Sequence, residues 1–204
     1  MYKIVSLSKF RTIFAEKLSD TRMFDFILNY SHVFGELSDE DLRATNLYKY
    51  LFEERKGLSY DFGCDLGVFN LPWGNFRTDY PNSPLKDIRN SRFCGPSSDR
   101  FALEEIKNII GLYLSMKNKG WRKRHRPLSV VEMVNVSGKS QFVILGGNHR
   151  AVIGYALGYK LALVTKHPLC YGRIKYKDVA KWYHVENGDM SEGTAMKIFN
   201  SFFK

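Results

Sequence analysis

Residues 142–158, FVILGGNHRAVIGYALG, hold the side chains best placed to do chemistry. A buried apolar run leads into two glycines, then the polar triplet Asn148, His149 and Arg150, then a helical pattern that Gly158 stops. Gly146 and Gly147 allow the backbone to turn tightly and approach a ligand with no Cβ in the way. Asn148 is suited to cap the helix, whose first turn presents unpaired N–H groups and the positive end of the dipole. Arg150 adds a bidentate donor and His149 a titratable one. Such an assembly binds phosphate without any appeal to relatedness. The same residues also fit a plainer structure, a glycine-rich turn with a capping Asn and a solvated Arg.

The charge of the chain favours the anion. The 204 residues carry a net charge of +10, and it is unevenly placed. Residues 1–100 hold 14 basic and 14 acidic side chains, whereas residues 101–204 hold 17 basic and 7 acidic ones. Between Ile106 and Lys177 Glu132 is the only acid. The densest run, KNKGWRKRHR, contains Lys117, Lys119, Arg122, Lys123, Arg124 and Arg126. A solvated loop explains that run by itself. The long acid-free stretch around it points to anion binding, because ordinary surfaces intersperse both signs. Trp121 is placed either to stack on a base or to pack in a core.

The elements that position the loop are expected from periodicity and caps. SSDRFALEEIKNIIGLYLSMKNKG (97–120) reads as a helix capped by Ser97 or Ser98, with a stripe of Leu103, Ile106, Ile110 and Tyr113, ended by Gly120. RPLSVVEMV and QFVIL read as strands joined by the SGKS turn, LALV (161–164) as a further strand, and LKDI (85–88) as a short one. Upstream, Phe10, Ile13, Phe14 and Leu18 keep helical spacing, with a basic amphipathic membrane helix over 8–19 as the alternative. Met23, Phe24, Ile27 and Leu28 suggest a second helix, and Ser38 with the acids through Asp41 an N-cap for a third. Glycines and prolines over 57–84 mark a connector, with a domain boundary near Asn82. Two short helices, around IKYKDVAKWY and SEGTAMKIFNSFF, close the chain.

The string ILGGNHRAVIGYALGYK resembles the signature of the ParB/sulfiredoxin superfamily: strand, Gly, variable residue, basic residue, Arg, helix, Gly. SPLKDIRNSRF resembles that family's opening strand and Arg-containing loop. The passage from the 98–119 helix through Gly120 into RPLSVVEMV also matches in order and spacing, so the likeness covers roughly residues 84–166. It implies an α/β fold with a small mixed sheet over residues 83–168, a helical extension and connector over 1–82, and a helical tail over 169–204.

Activity follows less directly. Sulfiredoxins place a catalytic Cys where Asn148 stands here, and Asn is no nucleophile, so reduction of sulfinic acids is not expected. Cys64, Cys94 and Cys170 lie outside the loop; three widely spaced cysteines form no disulfide framework and fit a reducing compartment. Family members that phosphorylate free serine keep the phosphate loop, add an Asp near its start and use an upstream Glu as base. Gly146 holds the Asp position here. A kinase needs a carboxylate to take the acceptor proton and usually one for Mg²⁺. The candidates reduce to Asp87, Asp99, Glu104, Glu105 and Glu132, with Asp99 first by position, although an Asp in a first helical turn also serves as a dipole partner.

The resemblance thus implies a cytoplasmic phosphotransferase that takes ATP or a related nucleotide, with Mg²⁺, and acts on a small hydroxyl compound. The acceptor would be a sugar, polyol or amino acid, of the kind met in cell-surface polysaccharide biosynthesis. Its nucleotide phosphates would rest on Gly146, Gly147, Asn148, His149 and Arg150, its catalytic set would be Asp99, Glu104 and His149, and Arg122, Lys123, Arg124 and Arg126 would add anion contacts. The alternative is a nucleotide- or DNA-binding module without turnover, in which the basic run touches nucleic acid; a structural member whose loop binds nothing is a third. ParB proper reads DNA through a later helix-turn-helix, which residues 167–204 do not resemble. Among the remaining histidines, His32 reads as packed or capping, His184 as ending a helix, His125 as a loop residue, and Lys166 with His167 as neighbours of the site mouth. No apolar run reaches membrane-spanning length, and no secretory signal is read at the start.

Overall fold

The strand pair that leads into the glycine loop is apolar on both faces, which requires a covering layer on each side. A computed structural model of the chain describes residues 2–53, 58–64, 66, 71–74, 97–121, 126–166 and 173–204. Strands β3 (Leu128–Val134) and β4 (Ser140–Gly146) form an antiparallel hairpin. In the connecting turn, Asn135 Oδ1 accepts from the Ser137 and Lys139 amides, and Gly138 takes a φ of 77°. Leu128, Val130, Phe142 and Ile144 face one core, and Val131, Met133 and Val143 face the other, as alternation along a strand demands. Strand β5 (Leu161–Lys166) runs parallel to the first half of β3, and β6 (Arg173–Lys175) parallel to its second half.

The N-terminal segment completes this sheet. Strand β1 (Tyr2–Ser6) pairs antiparallel with β5, and β2 (Phe10–Arg11) pairs parallel with β4. The result is a mixed six-stranded sheet of order β1-β5-β3-β4-β2, with β6 beside β3. The helix expected over Phe10–Leu18 is therefore corrected. Phe10 is a buried strand residue whose ring packs at a tilt against Phe142, and Leu18 lies buried in the 3-10 turn Leu18–Asp20. Both are core residues, but strand pairing across more than 130 positions overrides their helical spacing, and the membrane-helix alternative goes with it. The segment read as a helical extension thus opens with two strands of the shared sheet.

Helices α1 (Arg22–Tyr30), α2 (Asp39–Ala44), α3 (Asn46–Phe52), α4 (Asp99–Lys119) and α5 (Asn148–Ala156) belong to the first face of the sheet. Phe26, Ile27, Leu47, Leu51, Ile106 and Val152 fill that core. Ser38 forms the expected cap, here a full capping box with Asp41, and Ser98 caps α4, which Gly120 ends. The second face is covered by α7 (Glu192–Ser201), with Trp73, Trp182, Phe199 and Phe202 packed edge-on and stacked. The stretch expected as one helix around IKYKDVAKWY divides into β6 and a 3-10 segment, Tyr176–Lys181, followed by the single turn α6 (Tyr183–Glu186). Among the described residues, no helix is long and apolar enough to cross a membrane.

Candidate functional site

The loop between β4 and α5 has the backbone its glycines imply. Gly147 has φ 91° and ψ 23°, the left-handed region that an L side chain rarely adopts. A Cβ at Gly147 would lie 2.7 Å from Leu128 Cδ2 and 2.8 Å from Arg150 Nη2. The position is thus glycine for two separate reasons. One expectation shifts by a residue: Gly147, not Asn148, is the N-cap, and Asn148 is the first helical residue. A glycine cap leaves the first-turn N–H groups of α5 without a side-chain acceptor, whereas α1, α4 and α7 are capped by Thr21, Ser98 and Ser191.

Arg150 folds back over this turn. Its Nη1 donates to the backbone carbonyl of Arg126, and burial, reinforced by the neighbouring Arg126 charge, pulls its pKa below the ordinary value. The glycine loop and Arg126 at the end of the basic run, 24 residues apart in sequence, are therefore in contact, with two guanidinium charges near each other. Arg122, Lys123, Arg124 and His125 lie outside the described residues, as do Asp87, Asn82, the LKDI segment, His167, Cys94 and Cys170. Trp121 packs: a Cβ on Gly154 of α5 would fall 2.6 Å from its Cζ3, and its ring centroid is 6.1 Å from that of Tyr159. Lys166 is exposed at the end of β5, His32 is exposed beyond α1 rather than packed, and His184 is buried within α6, 2.8 Å from Asp189.

On the other flank of the loop a cleft opens. The start of α5 contributes Asn148 and His149, α4 contributes Glu105, and the cap of α1 contributes Thr21 with Arg22. The turn after β2 adds Thr12 and Glu16. Two helix N-termini thus converge on one hollow, and each brings positive potential. His149 Nε2 lies 3.2 Å from Glu105 Oε1; the Glu105 side chain is 4% exposed and that of His149 27%. A buried carboxylate behind a partly exposed imidazole can fix the ring's orientation and stabilise its protonated form. Asn148 Oδ1 is buried without a hydrogen-bond partner.

The turn bearing Thr12 and Glu16 is tight. Thr12 N–H donates to the Glu16 carbonyl, the Thr12 hydroxyl donates to Glu16 Oε2 at 2.9 Å, and Ala15 takes a φ of 62°. A non-glycine residue in that region is strained, and such strain gathers at functional sites.

The two acids ranked first from sequence are not among the residues lining this cleft. Asp99 accepts two hydrogen bonds from Arg43, at 2.8 and 3.0 Å, and a short one from the Tyr48 hydroxyl. Arg43 first, and then Tyr48, hold its pKa down to about 2. A carboxylate held that low is a poor proton acceptor, so Asp99 is a surface anchor between α4 and the α2–α3 corner. Glu104 is exposed and paired with Arg100 at 2.8 Å. Glu105, one residue on, is turned about 100° round the helix and faces α5. Its signal was in the sequence. Glu105 sits three residues after buried Ala102 and four before buried Ile109, a carboxylate within the apolar stripe. Glu16 had no such signal, because a strand pairing places its turn.

Among the described residues no group of three or more His, Cys, Asp or Glu side chains could hold a metal by itself. Comparison with protein-family models, curated proteins and solved structures returned no match to this chain.

Proposed function

We propose that the chain is a nucleotide-dependent phosphotransferase, a ParB/sulfiredoxin-type cytoplasmic enzyme that moves a terminal phosphoryl group from ATP or a related nucleotide to the hydroxyl of a small compound. The observation that carries this reading is the Glu105–His149 pair, set at the mouth of an α-helix that begins on a glycine cap. The nucleotide phosphates rest against the N–H groups of the Gly146–Arg150 turn, flanked by the Arg150 and Arg126 guanidiniums. The acceptor enters from the cleft. With Nε2 facing Glu105 at 3.2 Å, His149 presents Nδ1 as the base. The acceptor oxygen bonds to the terminal phosphorus as the bond to the bridging oxygen breaks. The electron pair leaves with the nucleoside diphosphate, and the hydroxyl proton passes to His149, whose imidazolium Glu105 stabilises. His149 stays in the catalytic set expected from sequence, while Glu105 replaces Asp99 and Glu104.

Mg²⁺ keeps most of its shell as water and phosphate oxygen and needs only one or two protein carboxylates, so Glu16 beside Thr12 fits it. When bound it would neutralise developing phosphate charge. Incubation of the full chain with ATP, ADP or CTP and a panel of hydroxyl compounds tests the reading. Glu105→Gln and His149→Asn are each expected to lower kcat about 100-fold or more, the span of general acid–base catalysis, with nucleotide affinity little changed. Arg150→Ala is expected to weaken nucleotide binding. A wild-type chain that neither binds nor turns over any of the three, with Arg150→Ala indistinguishable from it, overturns the proposal.

The Arg126–Arg150 locus also favours a second reading, a nucleotide- or nucleic-acid-binding module without turnover. Salt-sensitive DNA retention that survives Arg150→Ala would assign binding to the basic run 117–126 and argue against the kinase.

A further inference from the structure

We infer that the hydroxyl compound taken by this cleft is an alcohol or phenol carried on an apolar body, not a sugar, polyol or free amino acid; the fate of its hydroxyl rests on the phosphotransfer reading above. The polar groups of the cleft gather at the α4–α5 end with Glu105, Asn148 and His149, at the turn with Thr12 and Glu16, and at the α1 cap with Thr21 and Arg22, while Tyr50 adds one phenol from α3. Most of the surface between these groups is hydrocarbon. Ile13 and Phe14 supply it from the turn, Met23 from α1, and Leu47 and Leu51 from α3. Two features mark this wall as ligand surface and not sealed core. Ile13, Phe14 and Met23 are only partly buried, and Phe14 belongs to neither hydrophobic core. The cleft also lies where the two cores approach each other, since Ile13 packs on one and Leu47 and Leu51 belong to the other.

A polyhydroxylated acceptor would have to press several hydroxyls against this wall, where each loses its water and gains no partner. A compound with one hydroxyl loses nothing there. It places that hydroxyl at His149 and its body against Phe14, Met23 and Leu51, so apolar burial supplies affinity and the polar end supplies orientation.

The test uses 4-propylphenol and n-octanol against glucose, glycerol and serine, with the full chain. Binding is measured first without nucleotide, then transfer from ATP is followed by phosphorus NMR. Saturable binding of 4-propylphenol and phosphorylation of its hydroxyl are expected, with the polar compounds at least tenfold poorer. Phe14→Asn, at a position outside both cores, is expected to weaken 4-propylphenol binding about tenfold while ATP affinity stays within twofold. A preference for glucose, glycerol or serine overturns the inference and leaves phosphotransfer standing. So does an unchanged affinity in Phe14→Asn. Binding of 4-propylphenol by a chain that neither binds nor consumes ATP overturns the transfer reading and supports the apolar-hydroxyl specificity. Binding of none of the five compounds overturns the inference outright.

Discussion

Replacing Gly147 by Ala tests whether the glycine loop is held by its backbone geometry. Two costs arise. At φ 91° a Cβ brings left-handed strain of roughly 1–2 kcal/mol. The added methyl also lies 2.7 Å from Leu128 Cδ2, and Leu128 is fully buried in strand β3. Overpacking of that kind costs about 1–3 kcal/mol. Restricting the unfolded chain returns about 0.4–1 kcal/mol. The net expectation is a loss of about 1–5 kcal/mol. Gly138 provides the control, for it has a φ of 77° but nothing within 4 Å of its Cβ position. Gly138→Ala therefore carries the strain without the collision, and the net cost is about 1 kcal/mol or less. Urea unfolding of both variants, followed by far-UV circular dichroism, measures the difference. An equal shift in midpoint for the two, at unchanged slope, would falsify the claim that close approach to Leu128 and Arg150 shapes the loop.

Three further outcomes are expected. The Asp99 carboxyl is held at about 2, below its ordinary 3.8, so whatever it adds to stability is present above pH 4 and lost as pH falls through about 2. Carbon NMR titration should find that low value in the wild type and an ordinary one in Arg43→Ala; equal values would refute the anchor. Glu132 lies between Lys3 at 3.2 Å and Arg173 at 3.1 Å. Burial raises its pKa, but hydrogen bonds from those two cations outweigh burial and lower it. Because both cations are about half exposed and can resolvate, Glu132→Ala should cost only about 1–2 kcal/mol in urea unfolding. A Gly154→Ala substitution gains about 1 kcal/mol of helix propensity yet meets Trp121 at 2.6 Å, so it should destabilise in the wild type and stabilise in a Trp121→Ala background. Additive effects in that double-mutant cycle would dismiss the packing role of Trp121.

The parts of the fold legible in the sequence are those stabilised locally. Helix α4 carries its own boundaries, Ser98 and Gly120, and Ser38 with Asp41 forms a capping box within four residues. The β3–β4 hairpin and the glycine turn into α5 are likewise written in adjacent residues. The N-terminal strands are not. Tyr2–Ser6 is a strand because Leu161–Thr165 lies beside it, and Phe10 because Phe142 does. Nothing near Phe10 in sequence reports that, whereas its spacing to Leu18 mimics a helix. The same gap decided the site. The loop residues 146–150 were legible from local chemistry. Its buried carboxylate, Glu105, stands beside Asp99 and Glu104 in the sequence, and only its place in the apolar stripe of α4 separates it from them. Glu16 and Thr12 were missed outright, since only the pairing of β2 with β4 brings their turn to the cleft.

The central claim, that residues 146–150 bind nucleotide phosphates beside the Glu105–His149 pair, is tested most directly by titrating ¹⁵N-labelled protein with Mg²⁺–ATP. Saturable amide shifts are expected, centred on Gly147, Asn148, His149 and Arg150, with small shifts at Gly138 and loss of the loop shifts in Arg150→Ala. Absence of shifts at millimolar ATP would contradict it. So would shifts spread over the basic surface that vanish with added salt.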